Sequence, residues 1–439
     1  MNSLKKYQDK KIAIYGLGKT GVSAAKTLKK LKAEILCWDD NKKTRKNAKN
    51  LNFPLNKFWV NNNFIDYILI SPGININKCK IKKFLKNNLN KIITDLDIFF
   101  EINKDSSLIS ITGTNGKSTT CKLIEKILKT AGHNAIAVGN IGNPILNLKK
   151  NKKKTLIILE VSSYQLQYSK VFRSKHAAIL NISPDHLERH KNMTNYTKIK
   201  SKLFYGQSTN DYSYINSNNI YSKNIKKIFK NKKLKSKLIF INGYSCKFLL
   251  KKIKNAYFKS KGNIENLAFA YSIVKKFKIN DRIILRALNS FKGLPHRQEI
   301  IFSNNKFTCV NDSKATSFNS SLQSLMKFKK IYWILGGLPK HQDKFDLKNV
   351  SKKIAKAYIV GKKINFFIKK IKKNLLYKKS YNIKNAINDV LTDIKKNKDT
   401  EFTILLSPAA ASYDQFRNFE ERGNYFKKII ISKLKKLNV

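Results

Sequence analysis

An apolar run, Leu108 to Thr112, gives way to Gly113-Thr114-Asn115-Gly116-Lys117-Ser118-Thr119 and then to a helical pattern, Thr120 to Leu128. A strand, a glycine turn and a helix in that order make a cradle for phosphate. Glycines let the backbone curl so that its N–H groups face phosphate oxygens, and the helix N-terminus adds positive potential. Lys117 and the Ser118 hydroxyl can then serve the phosphates and Mg²⁺. The segment departs from the strict Walker spacing, because Ile111 stands five residues before Gly116 and the nearer glycine is Gly113. A nucleoside triphosphate is the expected ligand.

A chain of 439 residues with 42% hydrophobic side chains is long enough for about three domains with real cores. The start, Met1 to Lys11, is charged and has no apolar core segment of a signal peptide. No apolar stretch approaches the roughly 18 residues of a membrane span. The five cysteines are scattered and form no Cys-x-x-Cys pair, so neither a disulfide framework nor a zinc site is expected. A cytoplasmic location follows as an expectation. The formal charge of +63 suggests a polyanion partner, but the lysines are spread along the chain together with an excess of Asn and Ile, the residues of A/T-rich codons. No nucleic-acid module accompanies them. Runs such as 149–154 and 369–373 read as solvated loops and helix faces, and no nucleic-acid partner is expected.

The first hundred residues begin with a strand, Lys11 to Tyr15, a turn Gly16-Leu17-Gly18-Lys19-Thr20-Gly21, a helix to about Lys32 and a strand, Glu34 to Trp38, ending at Asp39-Asp40. On pattern alone this βαβ unit with a G-x-G-x-x-G turn reads as NAD binding, with Asp39 on a ribose hydroxyl. The same turn can seat other phosphate-bearing ligands. A further strand, Tyr67 to Ile70, enters Ser71-Pro72-Gly73-Ile74, and both loops are expected to rim one crevice.

The middle segment runs from about Lys104 to Pro295. A strand over 156–159 ends in Glu160-Val161-Ser162-Ser163, and one over 177–181 ends in Ser183-Pro184-Asp185-His186. Acid and imidazole groups at strand ends beside a phosphate loop are placed to hold Mg²⁺ or to position a phosphoryl group. The Lys/Asn/Ser-rich stretch from Tyr205 to Lys261 reads as variable connecting structure. The last segment, His296 to Val439, again alternates: strands over 331–335, 357–360 and 402–406 enter Gly336-Gly337, Gly361 and Ser407-Pro408. A second doubly wound sheet is expected, with the basic helix over 427–436 docked on its own domain.

Together, the phosphate loop, Asn140-Ile141-Gly142, Glu160 to Leu166, Asp185-His186, Gly293-Leu294-Pro295-His296-Arg297 and Asn311 to Thr316 resemble the Mur ligases of peptidoglycan synthesis over essentially the whole chain. The run Leu406 to Gly423 resembles the members that add D-glutamate. The resemblance implies an α/β chain of three domains. These are a Rossmann-like UDP-sugar domain over 1–103, a P-loop ATPase-like domain over 104–295 and a Rossmann-like amino-acid domain over 296–439. It implies a cytoplasmic monomer that uses ATP and Mg²⁺ to join D-glutamate to UDP-N-acetylmuramoyl-L-alanine through an acyl phosphate, and it turns the first glycine loop from NAD to UDP.

Position by position, the resemblance implies that Gly113, Thr114, Asn115, Gly116, Lys117, Ser118 and Thr119 hold the nucleotide. Ser118 and Glu160 would bind one Mg²⁺ and His186 a second. Asn266, Arg297 and Asp312 would bind adenine, phosphate and ribose, and Lys314 and Thr316 would reach the reacting groups. Lys340, Ser412 and Phe419 would seat D-glutamate. Lys19, Thr20, Asp39, Gly73 and Asn140 would touch the UDP-sugar. The family's carbamylated lysine falls at Lys200. Reading the residues themselves does not separate Lys200 from Lys198 or Lys202. Gly336-Gly337-Leu338-Pro339-Lys340 stands where a Gly-Gly-Asp-Lys loop is usual, and Gly262 where a histidine commonly precedes the asparagine pair.

Overall fold

Short runs rich in Ile, Leu, Val and Tyr, each ending in a glycine or polar turn, pair into three mainly parallel sheets. The computed structural model describes residues 4–436 except 61–63, 104–106, 141–142, 149–154, 341–342, 344 and 398–400. The basic run 149–154, Ile141-Gly142 and the start of the middle segment at Lys104 therefore lie outside the described residues. The chain forms two compact units, Met1–Phe291 and Lys292–Val439.

The first unit opens with β1 (Lys11–Tyr15), β2 (Glu34–Trp38), β3 (Tyr67–Ile70) and β4 (Ile92–Ile93), all parallel in the order β2-β1-β3-β4. The strand order reverses between β1 and β3, where a crevice forms at the carboxyl ends. Both glycine loops lie there. Gly16 has φ +95°, and a Cβ on Gly21 would fall 1.9 Å from the Gly16 carbonyl oxygen, so this turn closes only with glycine at both positions. Ser71 Oγ donates to Gly16 O at 2.6 Å and binds the second loop to the first.

The unit's second sheet contains β5 (Leu108–Thr112), β6 (Ala135–Gly139), β7 (Leu156–Glu160), β8 (His176–Ile179), β9 (Tyr212–Asn216) and β10 (Lys237–Ile241). Their order is β10-β9-β8-β5-β7-β6, all parallel. Strand β5, which feeds the phosphate loop, lies between the two strands that deliver Glu160 and the Asp185-His186 turn. The stretch 205–261 is not connecting structure. It supplies β9, β10 and the helix Ser222–Asn231, whose Ile225 and Phe229 are buried. Its many lysines hide two short strands, the first of which fully buries Tyr214 and Ile215. The helix Asp95–Ile102 ties the two sheets together. Asp97 Oδ1 accepts from Ser169 Oγ and the N–H groups of Lys170 and Val171, and Asp95 Oδ2 accepts from Gln165 Nε2.

The second unit has β11 (Glu299–Ser303), β12 (Phe307–Asn311), β13 (Ile331–Gly336), β14 (Ile354–Val360), β15 (Tyr377–Tyr381) and β16 (Phe402–Leu406) in the order β11-β12-β16-β13-β14-β15. Strand β11 is antiparallel to β12 and the rest are parallel. The sheet is thus mixed, with an antiparallel edge that strand–helix alternation alone does not reveal. The helix Phe419–Lys436 buries Phe426, Ile430 and Leu434 against its own sheet, which is the docking expected for it.

Replacing the buried ring of Tyr214 by Ala should cost about 3–5 kcal/mol, as for other large aromatic truncations. Chemical denaturation of the Tyr214→Ala variant reads this directly, and a loss below about 1 kcal/mol would return the stretch to connecting structure.

Candidate active site

The phosphate loop is shaped by two glycines and by a strand beside it. Gly113 has φ +154° and Gly116 φ +83°, and Gly116 stands at the N-cap of the helix Lys117–Thr130. A Cβ on Gly116 would lie 2.1 Å from Asn266 Oδ1. Asn266 thus packs on the loop, where it also accepts from Thr120 Oγ1 at 3.3 Å. Asn181, just beyond β8, fixes the loop from the other side. Its side chain accepts from Asn115 N at 2.9 Å and donates to Asn115 O at 3.1 Å, while its carbonyl accepts from Thr114 N at 3.0 Å. This clamp was not singled out in the sequence, where Asn181 was only the last residue of an expected strand.

Several chemistry-bearing groups converge on that loop. Lys117 Nζ donates to Gly113 O at 2.9 Å and Thr114 O at 2.8 Å. Ser118 Oγ donates to Glu160 Oε2 at 2.6 Å, and Asn140 Nδ2 donates to Glu160 Oε1 at 2.9 Å, with the carboxylate buried. Lys200 separates from its neighbours. Lys198 is exposed, Lys202 donates to Gln167 O, and Lys200 is only 2% exposed, its Nζ on Gly113 O at 3.0 Å and Thr112 Oγ1 at 3.4 Å. Burial first, then repulsion from Lys117, holds its ammonium well below the usual lysine range, against attraction from Asp185 and Glu160.

His186 is held at φ +55°. Its Nδ1 is 2.9 Å from the Tyr164 hydroxyl, its Nε2 3.3 Å from Asp185 Oδ2, and Tyr164 also donates to Glu188 Oε1 at 3.3 Å. Among the described residues no three His, Cys, Asp or Glu side chains come together to hold a metal ion. The hard oxygens of Glu160 and Ser118 nevertheless suit Mg²⁺, and a carbamate on Lys200 would add a further anionic oxygen donor beside them.

Of the expected UDP-sugar residues, Lys19, Thr20 and Gly73 border the crevice at β1 and β3. Lys19 and Gly73 are exposed and Thr20 is half-buried. Asp39 is engaged by the protein itself, with one oxygen accepting from Leu17 N at 2.7 Å and the other from Asn41 N at 2.8 Å. It therefore holds the glycine turn in place. Asn140 is likewise fixed on Glu160 by both its side chain and its backbone N–H.

Asp312 is buried, and its carboxylate accepts from Ser324 Oγ at 2.6 Å, Ser407 Oγ at 2.8 Å and Gln298 N at 3.2 Å. Burial pushes its carboxyl up to about 6, while those donors and the charge of Arg297 pull the other way. Lys314 Nζ lies 3.6 Å from the Phe419 ring centroid, and Lys314 N donates to His296 O. Thr316 is half-buried just before the helix Phe318–Lys327. A two-way backbone pairing of Leu338 with Ala411 brings the Lys340 loop alongside Ser412. Behind these loops Arg422, 3% exposed, donates from Nε to Ser313 Oγ and from Nη2 to Ser313 O at 2.8 Å and Ala410 O at 2.9 Å. Its role was not read from the sequence, although it stands inside the Leu406–Gly423 run.

Known proteins share this chain's sequence and fold. The Mur ligase middle domain matches residues 111–281. The chain is 36% identical to the UDP-N-acetylmuramoylalanine–D-glutamate ligase of Rickettsia felis, covering 98% of each. It is 34% identical to the protein of that name from Elusimicrobium minutum, covering 97% of this chain and 98% of that one. Among solved structures, MurF ligase from Thermotoga maritima in complex with ADP has a TM-score of 0.57 at 12% identity, covering 99% of this chain and 100% of that one. MurC from the same organism has 0.55 at 13%, covering 96% and 99%. These two share the fold. The chain belongs to the Mur ligase family, in the branch of the UDP-N-acetylmuramoylalanine–D-glutamate ligases.

The Asp312 carboxyl is raised in the folded state, so that state binds the extra proton between the ordinary aspartate value and about 6. Stability from this group is greatest below that window and is lost as pH rises through it. Relative to Asp312→Asn, the native second unit should lose stability as pH rises from about 4 to about 6 and hold a constant difference above. Denaturation followed by Trp333 fluorescence, with Trp38 and Trp59 replaced by Phe, measures this; a flat difference would refute the burial effect.

Proposed function

We propose that the chain joins D-glutamate to UDP-N-acetylmuramoyl-L-alanine at the expense of ATP, as a monomer in the cytoplasm. The relationship to D-glutamate ligases over 98% of the chain carries this reading. The convergence of Lys117, Ser118, Glu160 and Lys200 on one phosphate loop supports the chemistry. No described helix is long and apolar enough to cross a membrane.

A carboxylate is a poor electrophile and phosphate is a good leaving group. The substrate carboxylate oxygen attacks the γ-phosphorus of ATP and the bond to ADP breaks, giving an acyl phosphate. The amine of D-glutamate then attacks the acyl carbon and loses a proton, and the carbon–oxygen bond to phosphate breaks to leave an amide. Such a path needs cations around the phosphoryl group and exclusion of water. Gly113 to Thr119 would cradle the phosphates with backbone N–H groups, and Lys117 would move from the loop carbonyls to their oxygens. Mg²⁺ held by Ser118, Glu160, His186 and carbamylated Lys200 would neutralise developing phosphoryl charge.

The division into 1–103, 104–295 and 296–439 follows from the same reading, one sheet to each part. In the first, Lys19, Thr20 and Gly73 would contact the UDP-sugar, with Asp39 holding the turn and Asn140 reaching from the second. In the second, Asn266 would border the adenine. In the third, Arg297 and Asp312 would serve the nucleotide, Lys314 and Thr316 the reacting groups, and Lys340, Ser412 and Phe419 the two carboxylates of D-glutamate.

Lys200 meets the requirement for carbamylation. Carbon dioxide reacts only with the neutral amine, and burial beside Lys117 favours that form. Phosphate release from Mg²⁺-ATP and UDP-N-acetylmuramoyl-L-alanine should require D-glutamate and should not respond to L-glutamate, L-alanine or a diamino acid. Release with another amino acid keeps the ligase and discards its specificity. Lys200→Ala should lose on the order of 10²–10³-fold or more and be partly restored by small carboxylic acids. Lys117→Ala should also be inactive, and full activity in either variant refutes the role given to that lysine.

A further inference from the structure

His190 is 2% exposed. Its imidazole touches the supports of three separate site groups. The ring is stacked on Tyr196, with centroids 5.3 Å apart and planes at 25°, and lies 5.7 Å from the ring of Tyr164. Its Nε2 is 3.0 Å from Ser163 Oγ. Each neighbour leads onward. The Tyr196 ring lies under Lys200 Nζ, 4.7 Å from the centroid, and its hydroxyl is 3.4 Å from Thr114 Oγ1. The Tyr164 hydroxyl is 2.9 Å from His186 Nδ1. Ser163 begins the short helix that follows Glu160-Val161-Ser162 directly.

We propose that His190 is a positioning residue of the ligase, a hub whose ring sets Tyr196, Tyr164 and Ser163 and through them fixes Lys200, His186 and the Glu160 strand end relative to one another. The inference rests on the reading of Lys200, Glu160 and His186 as ligand residues. A histidine serving only stability would pair both ring nitrogens. Here Nδ1 is buried and has no partner among the described residues, which costs stability. Burial, as the largest cause, pushes the imidazole down to about 4, so the ring packs as a neutral plate. A plate hydrogen-bonded at one edge cannot rotate or slide as a phenyl ring could, and outer supports of this kind orient the groups that meet a metal.

The experiment uses His190→Phe, which keeps a planar ring, relieves the unpaired nitrogen and removes the bond to Ser163. Protein equilibrated with ¹³C-bicarbonate is examined by NMR for a carbamate carbon, identified by its absence in Lys200→Ala, and phosphate release is titrated with Mg²⁺. The variant should melt within about 3 °C of the native protein, with the carbamate signal reduced. Half-saturation by Mg²⁺ should rise about tenfold or more. Native carbamate occupancy and native Mg²⁺ dependence in the variant would overturn the proposal and leave the ligase reading standing. A lower melting temperature with both unchanged would overturn it too, as a merely structural role. Absence of any carbamate carbon in the native protein would overturn the Lys200 reading and this proposal together. Should His190→Phe not fold, Ser163→Ala removes the hydrogen bond alone and is read the same way.

Discussion

Two lysine ammonium groups meet one backbone carbonyl. Lys117 and Lys200 both donate to Gly113 O, at 2.9 and 3.0 Å, and neither is exposed. Unit charges about 5 Å apart at an effective dielectric near 20 repel by about 3 kcal/mol, and Lys200 carries the further cost of complete burial. The loop geometry that draws these groups together lowers the proton affinity of Lys200, with burial the larger cause and Lys117 the next. Lys200 is the more buried, so the downward shift falls on it. Lys117 stays at the surface of the cradle, where an incoming phosphate can replace the carbonyls it now holds. The glycine turn, the Asn181 clamp and Asn266 packed on Gly116 maintain the loop in the shape that makes this opposition unavoidable.

Buried charge is managed differently in the second unit. Arg422 is surrounded by carbonyl and hydroxyl oxygens from three loops, and its guanidinium falls to about 10 under burial. Asp312 is enclosed by two serine hydroxyls and one backbone N–H. Neither forms a direct salt bridge among the described residues. Each uses charge-assisted hydrogen bonds to join loop ends. The loops carrying Ser313, Gly336 and Ala410 are thereby anchored at one point, and Lys314, Lys340 and Ser412 project from anchored backbone. That is how polar loops at the carboxyl edge of a sheet become rigid.

Much of this was legible in the sequence because parallel α/β folds announce themselves at strand ends. The runs 11–15, 34–38, 67–70, 108–112 and 402–406 are strands as read, since each is apolar, short and followed by glycine or a polar turn. Strands β9 and β10 escaped because lysine and asparagine dilute their pattern, and a period-2 signal of two or three buried residues is lost in such a background. The phosphate loop, Glu160 and His186 were visible from chemistry alone. Lys200 was not, because the feature that distinguishes it is burial, and nothing local in a helix reading Lys198-Ile199-Lys200-Ser201-Lys202 says which lysine faces inward. Asp39 and Asn140 show the converse limit. Their type and position suit a ligand, and the sequence does not say that each also makes hydrogen bonds to the protein.

The high positive charge acquires a physical meaning once the site is placed. Most of its lysines are exposed, and at physiological ionic strength each is screened beyond about 8 Å. They cannot substitute for the few cations at the loop, which act within hydrogen-bond distance and in a medium of low polarisability. Their collective effect is on encounter. Nucleotide, UDP-sugar and dicarboxylate are all anions, and a positive field raises the rate at which each arrives without discriminating among them. Selection between those anions must therefore come from the buried, hydrogen-bonded groups, where geometry decides which oxygen meets which donor.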